Sequence, residues 1–215
     1  MMVSMALVLH GYRYSVYQRI VRLTLAEKGL AYERVEVNPF APDLPAAYLA
    51  LHPFRRVPVL VHDGFAVYET AAITRYIDRT FPGPALSPTD PRALARMDQI
   101  IGAVDAYGYW PLVRQVFSHA VFGPHLGRPT DQAEVEKGLA GSEKVLAALE
   151  MLAADAAFLV GPSLSLADLH LGAMLAYFVQ ASEGDALLRK HARLTKWWQS
   201  VKQRPSFAAT DPGLP

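Results

Sequence analysis

The pattern of apolar and polar residues divides the chain into a first part with short strands and a second part that is helical throughout. In the first part, short apolar or alternating runs predict strands at residues 6–10, 32–37, 59–62 and 65–68. Apolar residues at helical spacing predict helices from Ser15 to the Lys28-Gly29 end signal, at 45–51 and at 70–79. A helix between the first two strands predicts a parallel βαβ unit.

Beyond residue 91 the sequence shows helical spacing and no strand pattern. Residues 81–91 contain four prolines and a glycine, which is typical of a linker. We predict domains at 1–81 and 92–215, joined by a linker at 82–91. Helices are predicted at residues 92–117, with an interruption at Gly108 and Pro111 as the alternative, and at 131–152, 165–181 and 192–203. A loop is predicted at 122–129 and a buried turn at 158–162. The predicted fold class is a small α/β domain followed by an all-α domain.

The segment HPFRRVPVLVHDGFAVYET, residues 52–70, is the most informative stretch. Asp63-Gly64 lies between two apolar runs, which predicts a tight β-hairpin. Pro58 stands at the first position of a predicted strand, where its missing N–H is tolerated. We predict that the Val57–Pro58 bond is cis and that it leaves the main-chain N–H and C=O of Val57 unpaired and outward.

The same segment ends at a predicted helix start. Thr70 offers a hydroxyl and free amide groups there, which is an arrangement that binds anions. An extended main-chain edge near an anion site suits a small peptide that carries carboxylates. The sequence therefore indicates a site for such a peptide around Val57 and Thr70.

Composition excludes several other classes of function. Hydrophobic residues make up 52% of the 215 residues and the formal net charge is +1, so nothing indicates binding to nucleic acid or an anionic membrane. Cysteine is absent, which excludes disulfides, thiolate metal sites and a cysteine nucleophile in this chain. The segment MMVSMALVLH lacks a basic region, and we expect a strand there and no signal peptide. A cytoplasmic location is the expectation.

Four segments together resemble the soluble, cytosolic-type glutathione transferases. They are SVYQRIVRLTLAEKGLAYE, HPFRRVPVL, YETAAITRYID and GPSLSLADL, in the order and spacing of that family. The resemblance covers the whole chain and implies a thioredoxin-like N-terminal domain followed by a helical one. It also implies glutathione as co-substrate and no metal.

Ser15 matches the hydroxyl that hydrogen-bonds the glutathione sulfur in the serine-type classes of this family. Its structural alternative is a helix N-cap, a position that favours serine. Tyrosine-type classes use a phenol near the end of the first strand, and Tyr12 and Tyr14 are the alternatives for that role. Ser15 is preferred to either tyrosine.

The resemblance also implies the glutathione-binding residues. Glu69 and Thr70 match the pair that holds the γ-glutamyl end, and Val57, before Pro58, matches the residue whose main chain pairs with the cysteinyl unit. Arg56 matches a position directed to the glycyl carboxylate. His52 stands where the family commonly has asparagine. For Arg55, Arg56 and His52, a solvated basic turn is the alternative.

Aromatic residues at 107–117 match the wall of the family's hydrophobic acceptor pocket. The candidates for acceptor contacts are Tyr12, Tyr107, Tyr109 and Trp110, with core packing as the alternative. Ser165-Leu166-Ala167-Asp168 is a capping box with a purely structural role. The seven histidines show no metal-ligand spacing.

The resemblance implies a transferase that activates glutathione as a thiolate for attack on a hydrophobic electrophile. Peroxide reduction and double-bond isomerisation use the same site and stay open. The absence of cysteine disfavours the cysteine-type members. The rival hypothesis is a non-catalytic binding or scaffold protein with the same fold. Detoxification and a homodimer are expectations from the resemblance alone.

Overall fold

The structure is a computed structural model, and it describes residues 6–215. The expectation of no signal peptide concerns in part residues 1–5, which lie outside the described residues. The chain divides into two compact units, a first unit of Met1–Pro84 and a second unit of Ala85–Pro215.

The first unit contains a mixed sheet. Its strands within the described residues are β1 (Leu7–Gly11), β2 (Glu33–Glu36), β3 (Val59–His62) and β4 (Phe65–Tyr68). The order across the sheet is β2-β1-β3-β4, with β1 and β2 parallel and the other pairs antiparallel. The predicted parallel pairing is confirmed, and β2 is shorter than the predicted strand at 32–37.

The hairpin between β3 and β4 has the predicted bounds. Asp63 has a φ of 47° and Gly64 a φ of 85°, so both central residues have the positive φ of a type I′ turn. Asp63 also accepts a hydrogen bond from Ala6 N–H at 3.0 Å, which ties the turn to the start of β1.

Helices α1 (Val16–Glu27), α2 (Ala46–Leu51) and α3 (Thr70–Thr80) complete the first unit. Alternate strand residues point to opposite faces of the sheet, and each face has its own apolar cluster. Leu9 and Leu60 lie in the cluster that α1 and α3 cover. Val59 lies in the cluster that contains Tyr48 of α2.

The second unit is helical within its described residues. Its helices are α4 (Pro91–Ala103), π1 (Val104–Gly108), π2 (Trp110–Phe122), α5 (Gly123–His125), α6 (Gln132–Leu152), α7 (Leu166–Phe178), α8 (Ser182–Leu188), α9 (Ala192–Val201) and α10 (Pro205–Ala209).

Three predictions for this unit were wrong in detail. The run predicted as helix at 92–117 continues to Phe122, and its second part is wound as π-helix. The predicted loop at 122–129 begins with the short helix α5. The helix predicted at 165–181 ends at Phe178, and two short helices, α8 and α10, were missed.

Tight packing accompanies the π-helical segment. A Cβ on Gly138 of α6 would lie 2.7 Å from Gln115 Cβ and 3.1 Å from the carbonyl oxygen of Pro111. Gly138 therefore allows α6 to approach π2 more closely than any larger residue would. Wide i→i+5 turns of this kind are rare and often occur at functional positions.

The predicted capping box is present at the start of α7. Asp168 Oδ2 accepts hydrogen bonds from the N–H of Ser165 at 2.8 Å and from its hydroxyl at 2.6 Å. Asp168 Oδ1 accepts one from Leu159 N–H at 2.8 Å, which connects the turn at 158–162 to the helix. Burial raises the pKa of Asp168, while these hydrogen bonds act in the opposite direction.

Candidate active site

Ser15 is the N-cap of α1. Its Oγ accepts a hydrogen bond from Gln18 N–H at 3.3 Å, and its own N–H donates to the carbonyl oxygen of Tyr12 at 2.9 Å. Since Oγ acts as an acceptor within the cap, its proton is available to a further acceptor. The hydroxyl thus combines a hydrogen-bond donor with the positive end of a 12-residue helix.

The two tyrosines that compete with Ser15 lie in an aromatic group. The rings of Tyr12 and Tyr14 meet edge to face with centroids 5.6 Å apart, and Tyr12 meets Phe40 in the same way at 6.0 Å. Burial raises the pKa of Tyr12, and Tyr14 and Glu36 add to this effect. A phenol with a raised pKa holds its proton more tightly and is a weaker donor to a thiolate.

The Val57–Pro58 bond is cis, as predicted. Pro58 is buried, and the chain enters β3 directly after it. Within residues 6–215 neither the N–H nor the C=O of Val57 has a hydrogen-bond partner. The first unit therefore presents a short main-chain edge whose polar groups are not used by the fold.

The two arginines before Val57 have different environments. Arg55 has a φ of 55°, and its guanidinium donates to the carbonyl oxygens of Ala41 at 3.2 Å and Pro42 at 3.0 Å. Its side chain therefore anchors the neighbouring loop, while the residue itself remains exposed. The side chain of Arg56 is exposed, and its carbonyl oxygen accepts a hydrogen bond from the hydroxyl of Tyr48.

Glu69 and Thr70 lie where β4 passes into α3. Glu69 is exposed and has a φ of 70° and a ψ of 117°, an unusual conformation for a residue with a side chain. Such conformations cost about 1–3 kcal/mol and concentrate at functional sites. Thr70 is the first residue of α3 and only 6% exposed, and the amide groups of this first turn have no partner within the helix.

His52 is buried, with 2% of its surface exposed, so the alternative of a solvated position is wrong for it. Its ring lies against Tyr68 with centroids 4.7 Å apart, and its Nδ1 has no hydrogen-bond partner among the described residues. Burial lowers the pKa of His52, Glu69 opposes this, and Arg56 lowers it further. The charges of two candidate ligand-binding residues, Glu69 and Arg56, thus act on this imidazole.

The candidate acceptor residues of the second unit lie on the π-helical segment. Tyr107 is in π1, Trp110 begins π2, and Tyr109 lies between them. Tyr107 is 70% exposed and Trp110 is 59% exposed, with the Arg114 guanidinium 6.0 Å from the Trp110 ring. Large exposed aromatic side chains are available for an apolar ligand.

The sequence pattern did not indicate that two residues of the first unit, Tyr48 and Phe40, contact the candidate site residues. Tyr48 and Phe40 are single aromatic residues in a short helix and a proline-rich loop. Their importance comes from contacts with residues 8 and 28 positions away, Arg56 and Tyr12. A contact map would have found them, whereas periodicity could not.

No cluster of three histidine, cysteine, aspartate or glutamate side chains within residues 6–215 is placed to hold a metal ion. Over the same residues, every helix is too short or too polar to cross a lipid bilayer.

Comparison with known proteins places these features in one family. Residues 9–85 match the model of the glutathione S-transferase N-terminal domain, and residues 109–205 match that of the C-terminal domain. The chain is 31% identical over 215 residues to glutathione S-transferase F13 of Arabidopsis thaliana, covering 98% of this chain and 97% of the relative. It is 30% identical to a glutathione S-transferase of Hyoscyamus muticus, covering 95% of this chain and 97% of that one.

Solved structures show the same fold. Glutathione S-transferase III in its apo form superimposes with a TM-score of 0.85 at 28% identity, covering 98% of this chain and 97% of the other. Glutathione S-transferase I bound with lactoylglutathione gives a TM-score of 0.82 at 26% identity, covering 95% of this chain and 98% of the other. The chain belongs to the glutathione S-transferase family, and its fold is a thioredoxin-like unit followed by a helical unit.

Proposed function

We propose that this chain is a glutathione transferase that binds glutathione and activates it as a thiolate for attack on an electrophilic small molecule. The observation that carries the proposal lies in the first unit. This unit supplies both a main-chain edge at Val57 without a partner in residues 6–215 and a helix-capping hydroxyl at Ser15. The family membership supports the same function.

Ser15 is the proposed thiolate stabiliser. A free thiol has a pKa of about 8.5 and is mostly protonated at neutral pH, whereas the thiolate is the nucleophile. Lowering the pKa by two units requires about 2.7 kcal/mol of differential stabilisation. A hydroxyl donor and the N-terminal end of α1 supply this together. The raised pKa of Tyr12, caused first by burial, supports Ser15 over that phenol.

Glutathione is proposed to bind in an extended form along the Val57–Pro58 segment. The main chain of Val57 pairs with the cysteinyl unit in the manner of an added strand. Thr70 and the free amides of α3 hold the γ-glutamyl carboxylate, and Glu69 faces the ammonium group. Arg56 is directed to the glycyl carboxylate. His52, whose buried ring packs against Tyr68, is the remaining proposed glutathione-binding residue.

The thiolate sulfur attacks an electrophilic carbon, and a C–S bond forms. With an aryl halide, the halide leaves with the bonding electron pair. With a conjugated carbonyl compound, sulfur bonds to the β-carbon and the α-carbon takes a proton. Tyr12 is the proposed acceptor contact of the first unit. Tyr107, Tyr109 and Trp110 are the candidates in the second unit, and the two exposed rings among them support a hydrophobic acceptor.

The remaining expectations stay part of this proposal. Residues 1–81 form the glutathione-binding domain, 82–91 the linker and 92–215 the helical domain. The chain functions in the cytoplasm, in detoxification, and as a homodimer. A sedimentation mass near 23.6 kDa, the mass of one chain, at micromolar concentration would contradict the dimer.

Calorimetric titration with glutathione tests binding, and a panel of electrophiles tests turnover. The panel contains an aryl chloride, an epoxide, a conjugated aldehyde and an organic hydroperoxide. We expect saturable binding and formation of a thioether with at least one carbon electrophile. No binding at millimolar glutathione would contradict the proposal and favour a scaffold protein. Turnover of the hydroperoxide alone would indicate a peroxidase.

A further inference from the structure

Tyr48 is a buried residue of the first unit whose hydroxyl makes a polar contact. It lies in α2, is 5% exposed, and packs in the apolar cluster with Val59. Its hydroxyl donates a hydrogen bond to the carbonyl oxygen of Arg56. Burial raises the pKa of Tyr48 to about 12, so the phenol remains a proton donor across the pH range in which enzymes work.

This contact controls the orientation of one peptide group. The carbonyl of Arg56 and the N–H of Val57 belong to the same planar peptide unit. In a trans peptide these two groups point in opposite directions. The Arg56–Val57 peptide is trans, since the cis bond found within residues 6–215 is the following one, Val57–Pro58. A hydrogen bond that holds the Arg56 carbonyl against the buried Tyr48 hydroxyl therefore directs the Val57 N–H away from the core.

We propose that Tyr48 is a positioning residue for glutathione, which orients the Val57 N–H through its hydrogen bond to Arg56. This inference rests on the proposed function, since it assigns the ligand of that N–H as the cysteinyl carbonyl of glutathione. Tyr48 touches neither the ligand nor the reacting sulfur in this scheme. Its loss affects binding in the ground state and the transition state alike.

The surroundings of the segment make this one contact decisive. The preceding residue, Arg55, donates its guanidinium hydrogen bonds to the loop carbonyls of Ala41 and Pro42. The Arg56 side chain is exposed, so within the described residues it offers no packing that would hold the peptide group. The Tyr48 hydroxyl is thus the internal restraint on the orientation of the Arg56–Val57 peptide.

The test replaces Tyr48 with Phe, which removes only the hydroxyl. The matched control is Tyr76→Phe, because the Tyr76 hydroxyl also makes one internal hydrogen bond, at 2.8 Å to His62 Nδ1, and packs against the other apolar cluster. In Tyr48→Phe we expect the glutathione KM to rise about three- to tenfold, the range set by one neutral hydrogen bond. We expect kcat to stay within about twofold and the pKa of the bound thiol to stay unchanged.

A second measurement follows the ligand contact itself. In nitrogen-15-labelled wild type and Tyr76→Phe, the Val57 amide proton should move downfield on addition of S-methylglutathione. That shift should be smaller in Tyr48→Phe. The wild-type part of the experiment needs no variant, so the proposal can fail even if Tyr48→Phe does not fold.

Three results would overturn the inference. They are an unchanged KM in Tyr48→Phe, equal changes in Tyr48→Phe and Tyr76→Phe, or a Val57 amide in the wild type that does not respond to S-methylglutathione. A wild-type chain that binds no glutathione would instead overturn the proposed function, and this inference would fall with it.

Discussion

The indole N–H of Trp197 donates a hydrogen bond to Asp168 Oδ1 over 2.7 Å. This bond links α9 to the capping box of α7, which lies 29 residues earlier in the chain. Asp168 thereby accepts four hydrogen bonds, two on each carboxylate oxygen. A carboxylate without exposed surface is stable in the fold because donors surround both of its oxygens.

Asp168→Asn should destabilise the chain by about 2–4 kcal/mol. The substitution replaces one carboxylate oxygen, which accepts two hydrogen bonds, by an amide NH2 group, which cannot accept them. Asp185→Asn is the matched control, since Asp185 pairs with Arg189 on the surface of α8 and its loss should cost at most about 0.5 kcal/mol. Urea unfolding followed by circular dichroism measures both. Equal costs for the two variants would contradict the role given to Asp168.

Ser15→Ala removes the proposed hydrogen bond to the glutathione thiolate, worth about 1.5–3 kcal/mol. The pKa of the bound thiol should rise by about one to two units, and turnover at neutral pH should fall about ten- to a hundredfold. Turnover should recover as the pH approaches the free thiol pKa, and the glutathione KM should change little. Ultraviolet titration of the bound thiolate measures the pKa directly.

Ser15→Thr, which keeps the hydroxyl, is the control for that experiment, and Tyr12→Phe and Tyr14→Phe test the alternatives. A thiol pKa that rises in a tyrosine variant and not in Ser15→Ala would make the chain tyrosine-type. If none of these variants moves the pKa, the amides and dipole of α1 activate the thiol and Ser15 is only a cap.

Thr70→Val should raise the glutathione KM and leave kcat nearly unchanged. The hydroxyl is assigned to a glutathione carboxylate that does not react. Its contact should therefore be equally strong in the ground state and in the transition state. Thr80→Val, at the exposed opposite end of α3, should change neither constant. Steady-state kinetics with varied glutathione concentration measure both constants. A large fall in kcat at constant KM would show that Thr70 is assigned wrongly.

Arg56→Ala should weaken binding of glutathione about two- to fivefold, as expected for one exposed charge pair. The same variant should bind γ-glutamylcysteine as well as the wild type does, because that dipeptide lacks the glycyl carboxylate. Arg55→Ala serves as the comparison, since its guanidinium contacts Ala41 and Pro42 and should not distinguish the two ligands. Calorimetry with both ligands gives the answer; an equal loss for both in Arg56→Ala would contradict the assignment.

Protonation of His52 should lower the free energy of unfolding in mild acid. Burial lowers its pKa from the ordinary 6.5, so the unfolded chain binds this proton more readily than the folded one. The free energy of unfolding should therefore fall as the pH decreases below about 6.5 towards the folded-state pKa. His52→Asn should reduce this slope, and His125→Asn, at an exposed position, should not. Urea unfolding at a series of pH values measures the slope, and equal slopes in both variants would exclude His52 as the cause.

Several elements follow from local sequence alone. The Asp63-Gly64 turn was predicted with correct strand bounds because positive φ at two adjacent positions depends on the residues themselves. The Ser165–Asp168 box was predicted for the same reason, since its partners are three residues apart. The family motifs identified the fold and Pro58, and the cis bond before it was confirmed.

The tertiary structure decided the features that depend on distant neighbours. Local spacing predicts a helix around Pro111, but the π-helical winding accompanies close packing against Gly138. The sequence could not show that His52 is buried or that Tyr48 reaches Arg56, because burial and hydrogen bonding across a fold depend on where other elements pack. Periodicity reports the environment of a residue along its own helix or strand, whereas the orientation of the Val57 N–H depends on a phenol from a neighbouring helix.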